Sequence, residues 1–404
     1  MKKVIKRYLQ LEEHVLLMIK AEFFIQLIGA AFFLILNIYL AKKGFSDPEI
    51  ANFISYRFLA VMLLAFPLGI YIKGKPLKPF FMIGGLGVPI VAIVLVLLVH
   101  YGWYQYLPAL FILWGVVFTL FQVCSLPYLM RNTIIENQSH AISLNYATNS
   151  FGTIFSGFII FGAGQFMREF DEGKILLGIS ILGFIGVYYV LKMKVDVVES
   201  VKERLQWKSY DWVLLMKAIV PTLIIAVGAG LTIPFINLFF FHNFQIDSSG
   251  FAVIGGIASV LVAILSLLVP NLKSKLGFQK GITYVQTIAV IALVVLATTE
   301  FFKDYWWGLP LAIMCYWVRT PLMNMAAPMT SELTMNYVGA KNQEMLSAII
   351  AAIWSGSWFF SSQIFRFLKA EGLPYAHIFY ITAVLYAFGV FMYSLLIKDY
   401  ERKK

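Results

Sequence analysis

The sequence predicts an all-α membrane protein of twelve transmembrane helices in two pseudo-symmetric six-helix halves. Three observations carry that expectation. First, the 404 residues are 60% hydrophobic and only 13% charged, with a mean hydropathy of +0.80, whereas a soluble domain is about 45–50% apolar and about 25% charged. The apolar residues fall in continuous runs of about 20, the length that crosses about 30 Å of hydrocarbon. The short alternating segments of a transmembrane barrel are not the pattern here. Second, parts of the chain repeat. Ser143 and Gly152 recur at the same spacing as Ser347 and Gly356, about half the chain further on, and Asn37 with Asn237 and Gly69 with Pro270 repeat at nearly the same separation. Third, the basic residues are distributed asymmetrically between alternate loops.

In chain order the spans are predicted at 14–41, 48–72, 79–100, 107–131, 141–167, 174–193, 212–241, 249–271, 280–301, 306–333, 342–369 and 374–397. The longest break, 194–211, carries Lys194, Asp196, Glu199, Lys202, Glu203, Arg204, Lys208 and Asp211. It reads as a solvated cytoplasmic linker between an N-terminal half, 1–193, and a C-terminal half, 212–404. The basic N-terminus is followed by an apolar run with no small-residue cleavage site, so that run is expected to be a retained helix. If the N-terminus is cytoplasmic, most Lys and Arg in the loops fall on the inside, including Lys2, Lys3, Lys6, Arg7, Lys75, Lys78, Lys192, Lys275 and Lys398. Lys42, Lys43, Arg168, Lys174, Lys303 and Lys369 fall outside. The excess inside predicts a plasma (inner) membrane protein with both termini in the cytoplasm. It also accounts for the net charge of +11 by anionic lipid headgroups of the bilayer, with no nucleic acid as partner. Cys124 and Cys315 lie inside predicted spans, without metal-ligand neighbours, and read as packing residues.

Candidate functional residues are the polar side chains of these apolar helices, since a charge there is costly and faces protein or a water-filled cavity. In the first span Glu22, Gln26, Gly29, Phe33 and Asn37 share one helical face. Glu22 reads as a proton- or substrate-binding carboxylate, or as the structural partner of a base such as Lys20. Arg57 in the second span reads as a cavity residue or as half of a structural ion pair. Asn145 and Asn149, with Thr148, Gly152 and Ser156, form a polar face on the fifth span that lines a cavity or serves close helix packing. Asn237 closes the seventh span. Arg319, with Asn324 beyond it, lies near mid-membrane in the tenth, where its planar guanidinium suits an anionic or polar substrate group; the alternative is a bond that holds helices together. Trp354 and Trp358, one turn apart in the eleventh span, wall an aromatic pocket or pack in the core. Gln26, Asn37, Arg57, Asn145, Asn149, Asn237, Arg319, Asn324, Trp354 and Trp358 are thus the substrate-binding candidates. Glu136 and Glu332 sit at cytoplasmic helix ends, as gate residues or as side chains that reach the headgroups.

The loop after the second span reads Gly69-Ile-Tyr-Ile-Lys73-Gly74-Lys75-Pro76-Leu-Lys78, and the one after the eighth reads Pro270-Asn-Leu-Lys-Ser274-Lys275-Leu-Gly277-Phe-Gln-Lys280. With twelve spans and a central linker, these glycines and basic positions resemble the major facilitator superfamily. The resemblance implies parallel six-span repeats with a site near mid-membrane. In that family an acid in the first loop helps to latch the cytoplasmic side. Here Lys73 and Ser274 stand at the acidic positions, which makes Lys73 a gating candidate and implies a different or weaker latch. The function so implied is a monomeric secondary transporter working by alternating access on a small-molecule substrate. It would export an amphipathic or drug-like solute, with a proton as coupling ion through Glu22. The alternative is uptake or facilitated diffusion of a small organic anion through Arg319; from another class, a non-transporting receptor or sensor on the same fold. No His-Glu-x-x-His, phosphate-cradling glycine loop or paired intramembrane Asp occurs, so no enzyme, metal or cofactor is expected.

Overall fold

In a computed structural model of the chain, residues 11–72, 74–166, 171–195, 210–339 and 342–403 are described. The side chains of some residues inside those ranges, Glu136, Ser143 and Ser347 among them, lie outside the described set. Helix is the only regular structure among the described residues. Hydrocarbon offers the backbone no hydrogen-bond partner, so a lone segment that crosses it satisfies its own N–H and C=O groups as a helix.

The helices are α1 (Glu13–Lys42), α2 (Asp47–Tyr71), α3 (Lys78–Tyr101), α4 (Leu107–Asn132), α5 (Ile135–Phe166), α6 (Glu172–Leu182), α7 (Phe184–Lys192), α8 (Trp212–Thr232), α9 (Ile236–Phe244), α10 (Ser248–Phe278), α11 (Val285–Thr298), α12 (Gly308–Val338), α13 (Gln343–Ala370) and α14 (Tyr375–Lys403). All twelve expected spans are present as helical segments. The sixth is divided at Gly183 into α6 and α7, and the seventh by a 3-10 turn, Ile233–Phe235, into α8 and α9. A π-helical stretch, Gln279–Tyr284, leads into α11.

Several helices outrun their apolar sequence. The fifth was expected from residue 141 and starts at Ile135; the eighth was expected to end at 271 and runs to Phe278, across a kink at Gly277 where φ is 65°. Hydropathy marks the edge of the hydrocarbon, and a helix is free to continue into water beyond it. Among the described residues, nine helical segments are long and apolar enough to cross a membrane. The helices α5, α12 and α13 are not among them, and these three carry Asn145, Arg319 and Trp354.

Two compact units divide the chain. The first comprises Met1–Phe45, Tyr56–Glu203 and Ser248–Gly256; the second comprises Ser46–Ser55, Arg204–Asp247 and Ile257–Lys404. In the first unit α1 packs on α5 and on α6 and α7, and α3 packs on α4 and on α6 and α7. In the second unit α8 packs on α13 and α14, and α11 packs on α12 and α14. Counted as spans, first with fifth, first with sixth, third with fourth and third with sixth become seventh with eleventh, seventh with twelfth, ninth with tenth and ninth with twelfth. The repeat seen faintly in the sequence is therefore a repeat of helix pairing.

A glycine lets the first of these pairs close in each unit. A Cβ at Gly152 of α5 would stand 3.0 Å from the Gln26 carbonyl carbon of α1. A Cβ at Gly230 of α8 would stand 2.7 Å from the Ser361 Cβ and 3.1 Å from the Trp358 Cα of α13. Small residues at such crossings permit the backbone approach on which membrane helix packing depends.

Charged side chains gather at helix ends. In the first unit Lys42, closing α1, pairs with the buried Glu172 at the start of α6, and Ser248 donates to the same carboxylate at 2.9 Å. In the second unit Asp47 is shared by His242 at 3.0 Å, Lys369 at 3.5 Å and the Tyr375 hydroxyl.

Candidate functional site

Each unit holds a pocket with polar side chains in its wall. In the first it is lined by Glu22 and Gln26 of α1, Gln122, Ser125 and Leu126 of α4, and Asn145 and Asn149 of α5, around a cavity of about 270 Å³. Glu22 is 5% exposed. Gln26 Nε2 reaches its Oε1 at 3.5 Å, and the side chains of Ser125 and Asn145 lie against the carboxyl group. Its second oxygen, Oε2, has no hydrogen-bond partner among the described residues, and neither does Asn145 Oδ1. Among the described residues no cation pairs with Glu22. Lys20 is exposed and sits over the Tyr189 ring instead. This wall can hold a proton on Glu22 and offers amide donors and acceptors around it.

The pocket of the second unit, about 170 Å³, is lined by Thr222, Ile225, Ala229 and Ile233 of α8, Gln286 of α11, seven residues of α12 from Arg319 to Thr334, Ile350 and Trp354 of α13, and Tyr386 and Tyr393 of α14. Arg319 is 3% exposed; its Nη2 donates to the Tyr386 hydroxyl at 2.9 Å. Among the described residues its Nε has no hydrogen-bond partner, and no carboxylate pairs with the side chain. Tyr393 and Thr222 share a hydrogen bond of 2.8 Å between their hydroxyls. Arg319 supplies a fixed positive charge, Trp354 and the tyrosines an aromatic wall, and Thr222, Asn324 and Gln286 neutral hydrogen-bonding groups.

The structure thus gathers Glu22, Gln26, Asn145 and Asn149 at one pocket and Arg319, Asn324 and Trp354 at the other. It places the remaining candidates elsewhere. Arg57 lies with its guanidinium carbon 4.6 Å from the Trp114 ring centroid and 5.2 Å from that of Phe118. Among the described residues it has no carboxylate partner, so the aromatic faces hold this cation. Asn37 is buried in α1, and Asn237 is buried at the start of α9, where its Oδ1 accepts from the Leu238 N–H at 2.9 Å. Trp358 sits at the α8–α13 crossing. Glu332 is exposed on α12. Lys73 and the side chain of Glu136 lie outside the described residues.

Sequence reasoning missed Gln122, Ser125, Thr222, Gln286, Tyr386 and Tyr393. Gln122 and Ser125 stand one turn apart in an apolar helix, and Tyr386 and Tyr393 two turns apart, so helical spacing was a usable signal for both pairs. Among the described residues no group of His, Cys, Asp and Glu is arranged to hold a metal ion.

These helices and pockets are those of a membrane transporter. The sequence matches the Major Facilitator Superfamily over residues 20–362. The chain belongs to that superfamily. Solved structures share its fold at low identity. A crystal structure of nucleoside transporter NupG is similar with a TM-score of 0.70 at 15% identity, covering 96% of this chain and 100% of that one. A crystal structure of a D-xylose-proton symporter is similar with a TM-score of 0.72 at 14% identity, over 94% of this chain and 96% of that one. A crystal structure of a bacterial homologue of iron transporter ferroportin gives a TM-score of 0.71 at 13% identity, over 95% and 98%. No curated protein matches the sequence.

Proposed function

We propose that this chain is a proton-coupled secondary transporter of small amphipathic organic solutes, with Glu22 carrying the proton and the Arg319 pocket holding the solute. The observation that carries the reading is the buried Glu22 carboxyl, which lines a cavity among amides and a hydroxyl with no cation among the described residues to fix its charge. An intramembrane acid in such a place is suited to taking up and releasing a proton in each cycle. No nucleotide-binding motif occurs, so a gradient is the driving force. A thermal-shift screen over solute classes at two pH values identifies a ligand. With that ligand in proteoliposomes, Glu22→Gln is expected to abolish accumulation driven by a pH gradient while exchange across the membrane persists. Full gradient-driven accumulation in Glu22→Gln removes the coupling role.

A second reading is facilitated diffusion of a small organic anion. It is favoured by Arg319, a buried guanidinium in a pocket with no described carboxylate partner. Transport of the anion unaltered by the pH gradient or by Glu22→Gln distinguishes it. The plasma-membrane setting with both termini inside is supported by the lysine and arginine asymmetry. It predicts that a cysteine at Lys194 is labelled only from the cytoplasm and one at Lys174 only from outside.

A further inference from the structure

The second pocket holds two buried polar atoms of opposite character that the described residues leave unmatched. Among those residues Arg319 Nε is a donor without an acceptor, and Gln286 Oε1 is an acceptor without a donor. Both side chains are 3% exposed, and both line the same cavity. A buried polar atom left unpaired is destabilising, and such atoms in a native fold call for an explanation. Gln286 is also carried by an unusual piece of backbone. It stands two residues past the π-helical stretch Gln279–Tyr284, and π segments inside helices are frequent at functional sites.

The rest of the lining narrows what fits. Trp354, Tyr386, Tyr393, Ile225, Ile233, Ile350 and Met323 make most of the wall apolar or aromatic. No Asp or Glu is among the described lining residues. The guanidinium therefore has no counter-charge among the described residues, and an ammonium group on the ligand would find none there either.

We infer that the Arg319 pocket takes a monoanionic organic acid that carries a neutral hydrogen-bond donor beside its acid group, on an aromatic or apolar body. The acid accepts from the Arg319 guanidinium, and the neighbouring hydroxyl or N–H donates to Gln286 Oε1. A hydroxy acid satisfies both orphan atoms. A plain carboxylic acid satisfies one, and an amino acid brings a charge that the wall does not balance. This rests on the pocket being the solute site, and it adds to that reading the acceptor role of Gln286.

The test is binding of three matched probes to the purified full-length protein in nanodiscs, by titration calorimetry: phenyllactate, 3-phenylpropanoate, which lacks the hydroxyl, and phenylalanine, whose ammonium replaces it. Phenyllactate is expected to bind about tenfold or more tightly than phenylpropanoate, since the second leaves a buried acceptor unpaired. Phenylalanine is expected to bind at least about a hundredfold more weakly than phenyllactate, because its ammonium is buried beside a neutral acceptor with no described carboxylate to balance its charge. In Gln286→Met, of similar length and without the acceptor, the two acids are expected to bind alike. The comparison within the wild type needs no variant, so misfolding of Gln286→Met does not remove the test.

Equal binding of the two acids by the wild type, with both lost in Arg319→Ala, overturns the role of Gln286 and leaves the anion site standing. Binding of the acids that survives Arg319→Ala overturns the pocket as the solute site. No binding of any probe, or phenylalanine binding as well as phenyllactate, overturns the proposed ligand class. None of these outcomes touches the Glu22 exchange assay, which reports on coupling by itself.

Discussion

The two pockets sit on corresponding faces of repeated helices and carry opposite chemistry. At the separation that relates Asn37 to Asn237, Glu22, which lines the first pocket, corresponds to Thr222, and Gly29 and Phe33 on the same face of α1 correspond to Ala229 and Ile233; all three second-unit residues line the Arg319 pocket. In the first unit this face supplies the acid and an amide. In the second it supplies a hydroxyl and apolar surface, and the charge comes from Arg319 on α12 instead. Helix pairing is common to the repeats because it rests on backbone approach and apolar packing, which accept different residues of matched volume. The polar positions are under no such constraint and differ. The lesson is that repeat symmetry in this molecule locates the pocket faces and says nothing of what each face binds.

The largest expected effect separates the pockets by charge. Arg319→Ala should weaken binding of an organic anion by about 2–5 kcal/mol, the range for truncating one side of a buried charged contact, while Arg319→Lys, which cannot form a bidentate fork, restores only part. Calorimetry on the two variants decides it, and unchanged affinity in Arg319→Ala makes that arginine structural. Next come the glycines at the two equivalent crossings. Gly152→Ala and Gly230→Ala each force a Cβ against the facing helix, and each should lower stability by about 1–3 kcal/mol, read as a drop in the midpoint of thermal unfolding in detergent. If only one of the pair responds, the crossings are not equivalent.

A smaller effect distinguishes the two buried charges themselves. Glu22 has no described cationic partner, whereas Arg319 has Tyr386. Glu22→Gln should therefore be neutral or raise stability by about 1 kcal/mol, and Arg319→Gln should lower it by a comparable amount by leaving the Tyr386 hydroxyl unpaired. Melting curves with the same sign for both would break the contrast. The smallest effect belongs to the exposed pair of Lys174 and Asp171, 3.8 Å apart: Lys174→Ala should change stability by less than about 0.5 kcal/mol, as exposed ion pairs do.

Much of the fold was legible in the sequence, because an apolar run of span length has few alternatives in a membrane. Helix ends were not, since the helices that end at Phe278 and Lys403 run on past their apolar sequence, where hydropathy gives no signal. Glu22, Gln26, Asn145 and Asn149 were legible as polar residues at helical spacing, and Arg319 as a lone charge. Gln286 was not, because the π-helical stretch before it shifts the phase of the helix and defeats a period of 3.6. Tyr386 and Tyr393 were hidden among a general excess of aromatic residues, which also serve lipid-facing surface. Arg57 invited a search for an acidic partner. Its holders turned out to be Trp114 and Phe118, far away in the chain and without charge.

Asp47 brings a different matter into view. One carboxylate is the common acceptor for His242, Lys369 and Tyr375, which come from three separate helix ends or starts. Energies there are not separable. Removing any one donor leaves the carboxylate with two others to rely on more heavily, so single substitutions understate what each contributes, while Asp47→Asn strikes all three contacts together. In double-mutant cycles the four side chains should behave as one thermodynamic unit, in which the loss on removing the acid is larger than any single donor suggests, and in which the second donor removed costs more than the first.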